Sequence, residues 1–474
     1  MMERLLLFGT GQFYIRRREA LSAFLGQDEV VGFLDNRAQE RRMMDGLPVY
    51  LPEELSQISY DRILLMSASV REMREQLLGL GIPSSQISFY EEYRARKTRD
   101  TFLLPLPKKA AEGKKRILII AHDMEYDGGS IVAVYAAKVL QIRGHVVTLT
   151  APSIQPALAQ DIRTMGVDFV LCPTLPYLGE REKLWIKQYE ILVANVFPNS
   201  PVACSMRKEL PVIWWIHEAG EAYSNIYPRI RYQFSEYDTP KQMDGIRIFG
   251  VSRLAADVFS RHYPSVPVGV LPYGIPDHWN HLVERHDVPV FAIVGTISAL
   301  KGQLEFLQAT RLLRKWQSCG DFEVWVIGAK GSRAYDRNVM ELMQSLPFAH
   351  YKGVLTRSEM EEAYQRIDVV VCASQEETLS AVCIEGLMHA KVCLTTRNTG
   401  IADYLSDGVN GFLCQDNKPE HLAGVLERIL DVRSRWEAIG HRGRDVYEAN
   451  FSFEKFGNRL ERELQFDTID EKEE

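Results

Sequence analysis

Paired cysteine is the first thing this chain of 474 residues lacks. Its seven cysteines, Cys172, Cys204, Cys319, Cys372, Cys383, Cys393 and Cys414, are odd in number and never spaced C-x-x-C. Neither a disulfide framework nor a thiolate metal site is indicated, and they read as reduced core residues. Also missing is any run of about eighteen uncharged apolar residues, the length that a bilayer-spanning helix needs. The opening Met-Met-Glu-Arg-Leu-Leu-Leu-Phe-Gly suits a strand and falls far short of a secretory signal, so a cytoplasmic location is expected. There is no excess of positive charge: 56 Lys and Arg stand against 63 Asp and Glu, net −7, which gives no field for bulk nucleic-acid binding. What the chain does have is 46% hydrophobic residues over a length that predicts about three domains.

Strand-like runs alternate with amphipathic helical stretches from end to end, the pattern of doubly wound α/β domains with parallel sheets. Residues 1–95 form the first expected unit, with strands at Leu5–Phe8, Val30–Leu34 and Ile63–Met66 and a glycine turn at Gly9-Thr-Gly11. Residues 96–115 read as a basic linker. Between Arg94 and Arg116 nine cations face only Asp100 and Glu112, around Phe-Leu-Leu-Pro-Leu-Pro at 102–107. Such a segment is either a solvated tether or a contact for an anionic membrane on the cytoplasmic face. A second unit, 116–285, opens with the strand Arg116–Ala121, then Gly128-Gly129-Ser130 and a helix to about Arg143. The third, 286–440, repeats the scheme from Val290, and residues 441–474 are expected to be a helix packing back on the second unit, followed by a charged tail.

Within the third unit, Ile367–Ser374 is short, continuous and β-branched, hence a parallel strand buried on both faces. Gln375–Ser380 is the turn that follows, and Ala381–Ala390 a helix with Thr378 or Ser380 as N-cap. Glu377 thus sits in the turn and Glu385 within the helix, with free helix-start amides between them that suit a diphosphate. Carboxylates accept hydrogen bonds from neighbouring sugar hydroxyls. An isolated E-x7-E spacing is equally what solvated surface acids give, so its meaning rests on the flanking segments.

Those segments are Val294-Gly-Thr-Ile-Ser-Ala-Leu-Lys301-Gly302, Tyr364–Ser374, Glu377-Thr-Leu-Ser-Ala-Val-Cys-Ile-Glu385-Gly386 and Gly408-Val-Asn-Gly411-Phe-Leu. The second unit adds Gly128-Gly129, His217-Glu218 after Val-Ile-Trp-Trp-Ile, and Val251-Ser252 with Leu271-Pro-Tyr-Gly274-Ile275. In order and spacing they resemble retaining glycosyltransferases of the GT-B fold, family 4 (group 1), over roughly residues 116–460. The resemblance implies two Rossmann-like domains facing across a cleft, an acceptor half followed by a donor half. It implies Glu385 on the nucleotide ribose, Glu377 on the donor sugar and Lys301 on the diphosphate. Gly295, Thr296, Thr378, Leu379 and Ser380 would bind the donor beside them, with Gly128 and Gly129 letting backbone approach donor or acceptor. His217 would lie near the sugar; its alternative is a hydrogen-bonded core histidine in an apolar strand. Glu377, His217 and Lys301 are the candidate catalytic residues. The family often has arginine where Thr296 stands, which leaves one cation fewer here.

The first unit, with Phe8-Gly9-Thr-Gly11-Gln-Phe-Tyr14, Val30-Val-Gly-Phe-Leu-Asp35-Asn36 and Gly46-Leu-Pro-Val-Tyr, resembles the Rossmann-like N-terminal domains of bacterial sugar-modifying enzymes. Gly9, Gly11 and Asp35 are its candidate nucleotide residues, though Tyr14 replaces the third glycine of the usual fingerprint; such domains either bind a nucleotide or only pack and regulate. The resulting expectation is a metal-independent hexosyltransferase without cofactor, using a UDP- or GDP-sugar and a glycan or lipid-linked glycan acceptor in polysaccharide biosynthesis. The alternative is a catalytically weak nucleotide-sugar-binding partner or sensor subunit.

Overall fold

The computed structural model describes residues 2–465 apart from 39–42, 68, 126, 226, 235, 236, 238, 239, 282–286, 317–319 and 332. The chain packs as two units: residues up to Trp215 with Glu221–Arg247, and Ile216–Gly220 with the residues from Ile248 onward.

In the first unit, β1 (Arg4–Phe8), β2 (Glu29–Leu34), β3 (Met43–Met44), β4 (Leu47–Tyr50), β5 (Arg62–Leu65) and β6 (Ile87–Phe89) form a sheet in the order β3-β4-β2-β1-β5-β6. Only the hairpin partner β3 runs antiparallel, to β4; β1, β2, β4, β5 and β6 pair in parallel. The same unit holds β7 (Arg116–Ile120), β8 (Val146–Ala151), β9 (Asp168–Leu171), β10 (Ile191–Asn195) and, up to Trp215, β11 (Val212–Ile216), ordered β11-β10-β7-β8-β9. Ile117–Ile120 and the whole of β10 and β11 are buried, as continuous apolar runs must be when helices cover both faces of a parallel sheet.

The second unit contains β12 (Ile246–Gly250) from Ile248 onward, paired in parallel with β13 (Gly269–Val270), then a sheet of β14 (Val290–Val294), β15 (Glu323–Ile327), β16 (Ala349–Gly353), β17 (Val369–Cys372), β18 (Val392–Thr396) and β19 (Phe412–Cys414). Their order, β16-β15-β14-β17-β18-β19, places the first strand in the middle, with the chain moving to one side for β15 and to the other for β17. The loops leaving β14 and β17 therefore stand side by side at the carboxyl ends of the strands, where the strand order reverses and where ligands bind in open α/β sheets. Phe291, Phe306, Phe322, Val324, Leu422 and Leu426 belong to the apolar core that holds this sheet to its helices.

The expected strand Ile367–Ser374 is trimmed to Val369–Cys372, since its partners β14 and β18 offer matching register only over those residues. The helix expected to reach Ala390 is Ala381–Met388, ended by Ala390 in the left-handed region at φ 52°. Helix Tyr90–Thr98 runs across the expected boundary at residue 95, and the boundary near 285 lies outside the described residues. After that helix the basic segment lies against helix Glu180–Ile186. Arg181 donates to the carbonyls of Arg99 and Phe102, and Trp185 Nε1 to that of Pro105 at 2.7 Å. Helices Trp436–Asn450 and Phe453–Glu463 close the described chain; Arg459 of the latter donates to Pro272 O, and Ile275 N donates to Phe451 O in the turn between the two helices. Residues 466–474, at the end of the segment expected to finish in a charged tail, lie outside the described residues, as does Cys319; the other six cysteines are free and buried. No helix among the described residues is long and apolar enough to cross a membrane.

Gly302 joins β14's loop to helix Gln303–Leu313 at φ +73°, where a Cβ would sit 2.2 Å from the carbonyl oxygen of Ala373. Both the left-handed backbone and the collision with main chain exclude a side chain. Gly302→Ala is expected to destabilise the fold by about 2–4 kcal/mol in chemical denaturation; a loss below about 1 kcal/mol would mean that this junction relaxes freely.

Candidate functional site

Glu377 follows β17 in a turn that is held from several sides. Its N–H donates to Asn398 O at 3.2 Å, its carbonyl accepts from Gly400 N at 2.9 Å, and Gln375 N reaches Leu300 O at 2.9 Å. Gly400 is obligatory for that closeness, because a Cβ there would lie 1.8 Å from Thr378 O. Lys301 comes from the β14 loop, so its meeting with Glu377 joins the two loops. The ammonium donates to Glu377 Oε1 at 2.7 Å, while Oε2 accepts from Ser374 Oγ at 2.8 Å and from Cys372 Sγ at 3.3 Å. Burial alone would raise the Glu377 carboxyl, but Lys301 and these hydrogen bonds hold it below the usual carboxylate value. Lys301 is shifted upward, burial being outweighed by Glu377. Both groups are charged at neutral pH.

His217 belongs to this unit through the segment Ile216–Gly220. Its carbonyl accepts the Thr378 hydroxyl at 2.7 Å, and its ring lies parallel to that of Tyr273, centroids 6.3 Å apart. Tyr273 in turn donates its hydroxyl to Leu379 O at 2.6 Å. Thus the strand-end histidine and the Glu377 turn are fastened together. Burial depresses the His217 imidazole to about 3, so it is neutral throughout the physiological range.

Glu385 sits on helix Ala381–Met388, whose N-cap is Ser380, accepting from Cys383 N; Thr378, the other expected cap, spends its hydroxyl on His217 instead. Glu385 Oε2 accepts from Tyr364 Oη at 2.8 Å, and the Tyr364 ring stacks on His389 at 4.4 Å and 14°. Here burial wins and the carboxyl is raised, the Tyr364 hydrogen bond only partly offsetting it. A raised acid stabilises the fold when protonated and loses that contribution as pH rises through its folded pKa. Ionised Glu385 is therefore a cost to the free protein that hydroxyl donors on a ligand would offset.

Gly295 leaves β14 at φ +140°, and Thr296 after it is exposed. Both of their carbonyls accept from Gln303 Nε2, and Gln303 Oε1 accepts from Ser298 N, so one fully buried glutamine shapes the loop that carries Lys301. Gln303, Tyr364, Tyr273 and Ser374 are not among the residues expected from sequence: Gln303 and Ser374 are ordinary polar residues with partners three to eight positions away, and Tyr364 and Tyr273 find theirs 21 and 106 positions on. Gly128 and Gly129 lie in the first unit, at the start of helix Gly128–Ile142, where Asp127 caps Ser130 N at 2.8 Å and Asn195 Nδ2 donates to Gly129 O at 3.1 Å. In the N-terminal sheet Gly9 follows β1 at φ +115° and Gly11 caps helix Gln12–Phe24. Asp35 follows β2 with its oxygens on Thr10 N, Thr10 Oγ1 and Arg37 N. That carboxylate closes the glycine turn of its own domain. Among the described residues no group of three or more His, Cys, Asp or Glu is gathered to hold a metal ion.

Residues 288–432 match the family model for glycosyl transferases group 1, and residues 1–88 match one described as C2185-like, N-terminal. A lipopolysaccharide 1,2-N-acetylglucosaminetransferase of Salmonella typhimurium is 22% identical over 275 residues, 53% of this chain and 71% of that one. A D-inositol 3-phosphate glycosyltransferase of Paenarthrobacter aurescens is 28% identical over 149 residues, 31% of this chain and 36% of that one. Among solved structures, HepE of Anabaena in complex with UDP and glucose superposes with a TM-score of 0.60 at 14% identity, covering 74% of this chain and 99% of that one, which is a likeness of fold. The family match is confined to residues 288–432, and the likeness to the solved structure is one of fold, the α/β architecture of the GT-B enzymes.

Proposed function

We propose that the protein is a retaining hexosyltransferase of family 4 that moves a sugar from a UDP- or GDP-sugar to a glycan or lipid-linked glycan acceptor in polysaccharide biosynthesis. The observation that carries this reading is the ion pair Lys301–Glu377 beside a capped helix start, with Glu385 further along the same helix. Departure of a nucleoside diphosphate builds negative charge on the leaving oxygens; Lys301 and the helix-start amides would stabilise it, with no step that calls for a metal or another cofactor. Glu385 would accept from the ribose hydroxyls and Glu377 from the donor sugar. Thr378, Leu379 and Ser380 would line the sugar between them, Gly295 and Thr296 the diphosphate. The acceptor hydroxyl would approach from the side of the leaving phosphate, which helps to take its proton, so that configuration is retained. His217, neutral, would act as a hydrogen-bonding wall to the sugar and not as a cation. Gly128 and Gly129 would let backbone approach the donor phosphates or the acceptor, and of the two we take the acceptor. The relatives support the pathway: one is named for lipopolysaccharide, and HepE was solved with UDP and glucose.

A second reading, a nucleotide-sugar-binding subunit of weak activity, draws on Thr296, an uncharged residue where the family often has arginine, and on Lys301 being engaged by Glu377 in the free protein. One experiment separates the two. Incubation with a panel of UDP- and GDP-sugars, with p-nitrophenyl glycosides as acceptors, is expected to release nucleoside diphosphate slowly alone and faster with an acceptor; no release with any donor would overturn the transferase reading. Contact of the basic segment 96–115 with an anionic membrane on the cytoplasmic face belongs to the same proposal, and it draws on Leu103 and Leu106, 86% and 75% exposed between the lysines.

Glu385→Ala is expected to weaken UDP binding about tenfold, by loss of charged hydrogen bonds to ribose, and Glu377→Ala to lower turnover more than affinity; calorimetry with UDP and steady-state rates distinguish them. Because Glu385 is raised, UDP affinity should fall on acidification at a pH above the usual glutamate range of about 4.3, a dependence that Glu385→Gln should abolish. Turnover should show no break near an ordinary histidine value of about 6.5 from His217, whose imidazole is already neutral there; a limb that disappears in His217→Gln would contradict this. Lys301→Met leaves Glu377 charged and half-buried, and should cost about 1–3 kcal/mol of stability, part of which Glu377→Gln in the same chain restores.

A further inference from the structure

The loops leaving the carboxyl ends of β7, β8 and β9 meet around one aspartate and the arginine paired with it. Asp123, three residues beyond β7, accepts Ser153 Oγ from the β8 loop at 2.7 Å on Oδ1, and Arg17 Nη2 at 2.7 Å on Oδ2. Arg94 Nη1 lies 3.3 Å from Oδ1, and the same guanidinium donates through Nε to Pro173 O at 2.9 Å and through Nη2 to Leu175 O at 2.8 Å, both in the β9 loop. Arg17 and Arg94 come from helices Gln12–Phe24 and Tyr90–Thr98 of the N-terminal domain. Glu91 of the latter helix adds an ion pair to Arg229 at 2.7 Å, and the Phe13 ring lies beneath both Arg17 and Arg229.

Arg94 is 2% exposed and Asp123 8%. Buried ion pairs of this kind add little net stability over apolar packing, yet removing one partner is costly, so they hold geometry more than they add stability. The cluster is not tuned for maximal stability either: Arg17 Nε and Arg229 Nε are buried without a hydrogen-bond partner. What it holds is specific. From Asp123 the chain is tied by main-chain bonds, Met124 N to Ser153 O, Glu125 N to Asp123 O and Asp127 N to Glu125 O, and Asp127 then caps the helix that begins Gly128-Gly129. Asp35, meanwhile, is engaged inside its own domain.

We propose that the N-terminal domain is a positioning domain for the glycine loop of the second sheet: Arg17 and Arg94 fix Asp123, and through it residues 121–129, so that Gly128 and Gly129 meet the acceptor in one preset conformation. Arg17 and Arg94 are positioning residues that touch no reacting atom. That the loop serves an acceptor rests on the function proposed above; that it is held by these two arginines does not.

The test uses the full chain with Arg17→Met, Arg17→Lys and Arg94→Met. Backbone hydrogen exchange over residues 121–129 is expected to rise about tenfold in Arg17→Met, as when a charge-assisted hydrogen bond is lost, and to return toward the wild-type rate in Arg17→Lys. UDP affinity should stay within twofold of wild type. With the p-nitrophenyl glycoside that stimulates nucleotide release most, KM should rise about tenfold at little changed kcat, again the loss of one charged hydrogen bond. Wild-type exchange over 121–129 in both Met variants would overturn the clamp, as would a UDP affinity that falls as far as the acceptor KM rises. If Arg94→Met does not fold, Arg17→Met decides alone, since its side chain is more exposed at 14%. Failure of the transferase reading would show separately, as absence of nucleotide release by wild type, and leaves the exchange measurement decisive for the clamp.

Discussion

The ion pair between Lys301 and Glu377 is the contact around which the second unit is arranged. Each partner comes from a different loop at the point where the strand order reverses, and neither loop has regular structure to hold it. Closure depends on main chain packed against main chain: Gly302 against Ala373, Gly400 against Thr378, Gln375 N on Leu300 O. Side chains at those glycines would push the loops apart. Gln303 beneath one loop and Ser374 beside the other then fix where the two charges lie. A half-buried pair of this kind is ordered because its surroundings leave it no alternative geometry, not because the pair itself contributes much free energy.

Two carboxylates on one turn and helix are pushed in opposite directions by that environment. Glu377 has a cation and two hydrogen-bond donors and is held below the usual carboxylate value; at Glu385 burial outweighs the Tyr364 phenol and the carboxyl is raised. Separation of this sort lets neighbouring acids do different work, one as a fixed charge and one as an acceptor whose ionised form gains from a ligand's hydroxyls. His217 completes the contrast, since burial removes its charge and leaves a neutral ring parallel to Tyr273.

The N-terminal domain shows the same economy of means at a different place. Its own glycine turn is closed by Asp35, whereas its helices send arginines into the loops of the neighbouring sheet of the same unit. The basic segment that follows, expected as a tether, is held by its carbonyls against helix Glu180–Ile186, with Leu103 and Leu106 turned outward. Proline and lysine content predicts the absence of regular structure there. It says nothing of docking, which depends on Arg181 and Trp185 some eighty residues further on.

By itself the sequence determined the alternation of strand and helix, because continuous β-branched runs such as Val369–Cys372 and Ile117–Ile120 have few other ways to be buried. It also determined that Glu377 and Glu385 fall just beyond the carboxyl end of such a strand, the end at which ligands bind in open α/β sheets. Tertiary structure alone decided who their partners are. Lys301 meets Glu377 across 76 positions, Thr378 finds the His217 carbonyl across 161, and Arg94 finds Leu175 across 81. Local composition cannot encode such meetings, because they follow from strand order and loop closure. The choice between Thr378 and Ser380 as helix cap was settled the same way: a hydroxyl drawn to a carbonyl from a distant strand was no longer free to cap its own helix.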